Sequence, residues 1–124
     1  MTSAIVVGGA VGGLAAARAL AACGVEVTVL ERRPPGQAEG AGLLLYPPAA
    51  QALVRLDALD AFRARSVALT GIATYDQRGR VLNEFDATGF ESKYGHPLAG
   101  VHRADLMAAL AVEVRRGVEV TDVA

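Results

Sequence analysis

The segment IVVGGAVGGLAAARAL, Ile5 to Leu20, constrains this chain more than any other. A short apolar run, Ala4 to Val7, stops at two glycines, as a buried strand does. From Gly12 or Gly13 to Cys23 the residues are almost all alanine and leucine, strong helix formers, and Gly24 supplies a helix stop. VEVTVLE, Val25 to Glu31, then alternates β-branched residues and reads as a second strand. Strand, helix and strand in so few residues form a βαβ unit, which builds a parallel sheet. The expected fold class is therefore α/β and Rossmann-like.

The glycines of that turn follow a dinucleotide-binding pattern, which places glycine at its first, third and sixth positions. Counted from Gly8, the places fall on Gly8, Ala10 and Gly13, so the middle one carries a methyl group. Gly9 and Gly12 add slack around it. A strand-to-helix turn of this kind needs backbone angles that glycine adopts at little cost. The helix behind it offers unpaired N–H groups and a positive dipole end to a pyrophosphate. Glu31 ends the second strand eighteen residues beyond Gly13, close to where the pattern places an acid for the ribose hydroxyls. Turn, helix, strand and acid in register point to nucleotide binding rather than to tight packing alone.

The remaining sequence fits one domain. The chain has 124 residues, 52% of them hydrophobic and 20% charged, enough to build a core. Its formal charge of −1, from 12 basic and 13 acidic residues, gives no general reason to bind nucleic acid or an anionic membrane. Cys23 is the single cysteine, which excludes an intrachain disulfide and a cysteine-cluster metal site. The first residues lack a basic head, and the Ala/Leu run is too short to span a bilayer. A cytoplasmic protein is expected.

Beyond the first unit, RRPPGQAEGAG reads as a loop and LLLY as a short strand. Pro47-Pro48 opens a helix over Ala49 to Leu56, with a further turn or two over Asp57 to Arg65. GIATYDQRGRVLNEFD reads as a hairpin turning at Asp76 to Gly79, and Thr88 to Pro97 as a polar connection. RADLMAALAVEVRRG has the composition of a helix stopped by Gly117, and VEVTDVA reads as the start of another strand.

Taken in order, three stretches resemble the flavin-dependent aromatic hydroxylases, the FAD monooxygenases related to para-hydroxybenzoate hydroxylase. They are AIVVGGAVGGLAAARALAACGVEVTVLERR, GAGLLLYPPAAQALVRLDALDAF and VHRADLMAAL. The family usually has Asn where this chain has Pro48. The resemblance implies a Rossmann-like FAD-binding domain over residues 1–124, an incomplete amino-terminal portion, whose hairpin at about 67–90 belongs to or leads to a substrate domain. It implies FAD as cofactor, NAD(P)H as co-substrate and hydroxylation of a small organic substrate. Residue by residue, Gly8, Ala10, Gly12 and Gly13 would surround the FAD pyrophosphate. Glu31 would hold the adenosine ribose, Arg32 would lie by the adenine end, and Arg103 would donate to FAD from the entry of its helix. Independently, a cation at a helix N-terminus opposes the dipole, so Arg103 is better explained by an anionic partner.

Two alternatives stay open at this point: a stand-alone nucleotide-binding module without turnover, and an NAD-linked dehydrogenase domain. No residue is identifiable as a catalytic acid, base or nucleophile. His96 and His102 lack metal-ligand spacing, and His96 before Pro97 is expected in a loop. Asp105 reads as a first-turn helix acid and Cys23 as a small core residue. Arg63, Arg65, Arg115 and Arg116 read as solvated helix-end charges.

Overall fold

The computed structural model describes residues 1–36 and 40–123. In chain order its elements are β1 (Ser3–Val7), α1 (Val11–Ala22), β2 (Glu26–Glu31), β3 (Gly42–Leu45), α2 (Pro47–Arg55), α3 (Leu59–Arg63), β4 (Val67–Leu69), β5 (Gly71–Tyr75), β6 (Val81–Asp86), α4 (Phe90–Tyr94), β7 (Leu98–His102), α5 (Arg103–Ala109) and β8 (Val114–Arg116).

β1 and β2 run parallel, in register from Ser3↔Glu26 to Val7↔Leu30, and α1 crosses between them as a βαβ helix must. β8 adds to the other side of β2, also parallel, giving the order β1-β2-β8. One face of this sheet is covered: Leu14 and Ala17 of α1 and Val29 of β2 are buried. The opposite face is bare at Ile5 and Val7, which are 68% and 61% exposed.

A second sheet, antiparallel in the order β3-β7-β4, packs with the helices around the main core. Leu14, Leu45, Leu53, Phe62, Val101, Leu106 and Leu110 form that core, so α1, α2, α3 and α5 share it with β3 and β7. Burying each such side chain contributes about 1.5–3 kcal/mol. The Arg18 guanidinium ties the assembly together from α1. It donates to the carbonyls of Leu56 and Asp57 at 2.8 Å each, beyond α2, and to that of Ala111 at 3.3 Å, just before β8.

The hairpin β5–β6 forms as expected, turning where the Asp76 carboxylate accepts from Arg78 and Arg80 backbone N–H groups. Every residue of β6 is exposed.

Several expectations are corrected. The helix after His102 ends at Ala109 rather than running to Gly117, and the next strand is Val114–Arg116 rather than one starting at Val118. Pairing of Val114 with Val29 outweighs helix propensity there, because Val112 and Val114 are β-branched and pack against the core. Residues 118–123 form no strand, and the last residue of that expected strand, Ala124, lies outside the described residues. The expected loop after Glu31 also includes residues outside the described ones. Cys23 is exposed, because the buried stripe of α1 runs through Leu14 and Ala17 and Cys23 lies past its end. The polar connection after Thr88 contains α4.

His96 does sit in a loop, yet it is only 8% exposed. Arg63 Nη2 lies 3.3 Å from its Nδ1, and Gln51 Oε1 lies 3.2 Å from its Nε2. An arginine can only donate, so Nδ1 accepts and Nε2–H donates to Gln51. Arg63 is thus an exposed helix-end charge with a structural contact.

Candidate functional site

The carboxyl ends of β1 and β2 open into a cleft of about 660 Å³. Parallel strands carry their loops to one edge, which is where open α/β sheets bind ligands. Of the residues singled out above, Gly8, Ala10, Glu31, Arg32 and Arg103 line this cleft together. Gly12 and Gly13 do not; they lie in the first turn of α1 behind it.

Gly8 has φ +105°, a left-handed backbone that side-chain-bearing residues rarely adopt. Its N–H donates to Leu30 O at 2.8 Å, so the turn is fastened to β2. A Cβ on Gly13 would overlap the Gly8 carbonyl oxygen and approach Val6 Cγ1 at 3.4 Å. This glycine therefore brings α1 directly against the end of β1. Gly12 has open space around it.

Ala10 caps α1 in an extended conformation and makes no side-chain capping bond, and the first turn holds no acidic residue. The first hydrogen bond of the helix is Leu14 N–H to Ala10 O, so N–H groups of the first turn remain unpaired within α1. An uncapped helix start without a carboxylate, facing a cleft, is suited to an anion.

Glu31 is held from two sides. Its Oε2 accepts from Gly9 N–H at 2.7 Å, and its Oε1 accepts from Arg33 N–H at 2.9 Å. These bonds to the ionised form, with the Arg33 bond the largest effect, hold the carboxyl below the ordinary glutamate range. The positive charges of Arg116 and Arg33 add to that shift, and burial opposes it. Two of about four acceptor positions are occupied, which leaves capacity for hydroxyl donors. The aliphatic part of Glu31 also stands behind Gly9: a Cβ there would meet Glu31 Cβ and Val114 Cγ1 at 3.1 Å each.

Arg103 begins α5, and its N–H donates to Ala41 O at 2.8 Å, which anchors the helix entry to the segment before β3. Its side chain reaches the cleft wall beside Met107. Asp105 occupies the first turn of α5, as expected. Reading the residues alone missed Gly9, Arg33 and Arg116 as parts of the cleft. Glu31 makes Gly9 and Arg33 legible only once the turn is folded. Arg116 was obscured by the helix reading, although the alternation Val112-Glu113-Val114 was the available sign of a strand.

Among the described residues no group of three or more His, Cys, Asp or Glu side chains could hold a metal ion. No helix is long and apolar enough to cross a membrane among them.

A parallel βαβ sheet with an uncapped helix start and a held acid at its edge defines a dinucleotide-binding α/β protein. The chain belongs to the FAD binding domain family, which it matches over residues 1–123. It is 36% identical to the FAD-dependent monooxygenase OpS4 of Beauveria bassiana, over 96% of this chain and 30% of that protein. It is 34% identical to 3-hydroxybenzoate 6-hydroxylase of Klebsiella oxytoca, over 97% of this chain and 33% of that one. Among solved structures, p-nitrophenol 4-monooxygenase PnpA from Pseudomonas putida superposes with a TM-score of 0.81 at 26% identity, covering 94% of this chain and 33% of that one. A variant of Klebsiella pneumoniae HpxO complexed with FAD gives a TM-score of 0.78 at 26% identity, over 94% and 31%. The chain thus spans about a third of the length of these relatives.

Proposed function

We propose that the chain forms the first part of the FAD site of an NAD(P)H-dependent monooxygenase that hydroxylates a small, electron-rich, aromatic substrate. The observation that carries this reading is the Glu31 carboxylate, fixed by Gly9 and Arg33 N–H groups beside the uncapped start of α1. The cleft fits the adenosine diphosphate half of FAD: backbone N–H groups for the phosphates, a preset acceptor for the ribose, and Arg32 beside the adenine end. Gly13 keeps α1 close enough for its N–H groups to reach the phosphates. Arg103 donates to FAD from the far wall, away from the adenine. When bound, FAD supplies the redox chemistry that brings oxygen and the reducing power of NAD(P)H to the substrate. The residues here bind and orient it.

The chain acts within a larger protein in this reading. The relatives are about three times as long, and the parallel sheet leaves Ile5 and Val7 bare, whereas parallel sheets are ordinarily covered on both faces. The hairpin β5–β6 forms a sheet of its own, marginal by itself, which suits a stretch that would belong to or lead to a substrate domain. These features favour a part of an enzyme over a stand-alone module. The enzyme works in the cytoplasm, without membrane or nucleic-acid partners.

Titration of the chain with FAD, followed by the flavin absorbance, tests the reading. Weak but saturable binding is expected, because the chain supplies only part of the site, with NAD⁺ binding more weakly still. Tighter binding of NAD⁺ than of FAD would overturn it in favour of a nicotinamide-linked domain.

A further inference from the structure

Arg116 occupies a place that the cofactor reading does not use. It ends β8 and pairs in register with Glu31 on β2, so the two side chains leave the same face of the sheet at adjacent strand ends. Arg115, one residue earlier, pairs with Leu30 and points to the opposite face. Arg116 lines the cleft and Arg115 does not.

The spatial order of the sheet gives this position a meaning. Across its carboxyl edge the strands run β1, β2, β8, each step about 4.8 Å. The glycine turn follows β1, and Glu31 ends β2. A dinucleotide with its pyrophosphate at the turn and its ribose at Glu31 carries its base onward to the end of β8. The cleft wall there is Arg116 with Val118, Glu119 and Val120, a flat cation beside two apolar side chains and one carboxylate. A guanidinium stacks on aromatic faces, which an ammonium cannot do through a planar contact. Val118 is also fastened in place, its N–H donating to Glu31 O at 3.1 Å.

We infer that Arg116 is a base-recognition residue, its guanidinium stacking on the purine of the adenosine half of the bound dinucleotide. The inference rests on the cofactor reading above and assigns the wall of its adenine end.

Calorimetric or NMR titration of the 124-residue chain with ADP, and with the same ribose diphosphate lacking its base, tests it. Arg116→Met should weaken ADP roughly two- to thirtyfold, the span of a cation–π contact from exposed to desolvated. Arg116→Lys, which keeps the charge but not the plane, should also weaken ADP. Arg116→Lys should leave the base-free diphosphate unchanged, Arg116→Met, which removes a cation beside Glu31, should weaken it less than it weakens ADP, and Arg115→Met should alter neither ligand. The exposure of Arg116 makes these variants safe for folding, which circular dichroism checks. Equal losses for both ligands would show long-range attraction of phosphate and overturn the stacking role. An Arg116→Met chain that binds ADP like the parent would overturn it as well. If the parent chain bound no ADP at millimolar concentration, the cofactor reading itself would fail, and the Arg116 assignment with it.

Discussion

At the scale of single residues, Glu31 joins the fold to the site. Its two backbone hydrogen bonds bridge the glycine turn and the segment after β2, so the same carboxylate that would meet the ribose also holds the turn shut. That coupling has a pH signature. Glu31 is held below the ordinary glutamate value of about 4.3. A carboxyl with a lowered folded pKa contributes stability that is complete above its unfolded value and lost as pH falls through the folded one. The stability difference between the parent and Glu31→Gln, measured by urea unfolding, should therefore be largest near neutrality and shrink on acidification below about pH 4.3. A difference that stayed constant to the acid limit would mean that the charge of Glu31 contributes nothing to the turn. Asp76 and Asp86 also sit below their ordinary range through local hydrogen bonds, but both are common to parent and variant and cancel in the difference.

At the scale of elements, the first βαβ unit was legible because every local cue agreed: apolar run, glycine turn, alanine helix, alternating strand. The glycine turn was legible in kind, and the structure adds a division of labour within it. Gly8 makes the bend and Gly13 admits the close approach, whereas Gly12 has open space. Gly13→Ala should accordingly cost about 1–3 kcal/mol through overpacking. Gly12→Ala should be neutral or stabilising, since alanine is the better helix former. Denaturant midpoints of the two variants check this, and equal midpoints would contradict the packing assigned to Gly13. The region after α5 was misread for a physical reason. Ala111 to Arg116 can be helical by composition, and pairing with β2, remote in sequence, outweighs that tendency. The same holds for β4, which fell inside the hairpin expected at about 67–90 but pairs with β7 instead, and for β7, which was not read as a strand: three to five residues carry little period of their own. His96 was legible as a loop residue, but not its burial, which depends on Gln51 and Arg63 reaching it from α2 and α3.

At the scale of the molecule, two sheets with different neighbours share one core. The parallel sheet presents the cleft, and the antiparallel sheet with α2, α3 and α5 supports it through Leu14, Leu106 and Leu110. Arg18 fastens α1 to the end of α2 and to the link before β8, so the glycine turn and Arg116 ride on one frame. On this account the cleft reads the two halves of FAD with different walls: Glu31 at the ribose, Arg103 on the flavin side. The most direct test is a paired titration of parent, Glu31→Gln and Arg103→Ala chains with FAD and with ADP. Glu31→Gln should weaken both ligands about tenfold to a hundredfold, the loss of a charge-assisted hydrogen bond. Arg103→Ala should weaken FAD and leave ADP unchanged. Equal losses of FAD and ADP on removing Arg103, or no loss of either on changing Glu31, would contradict it.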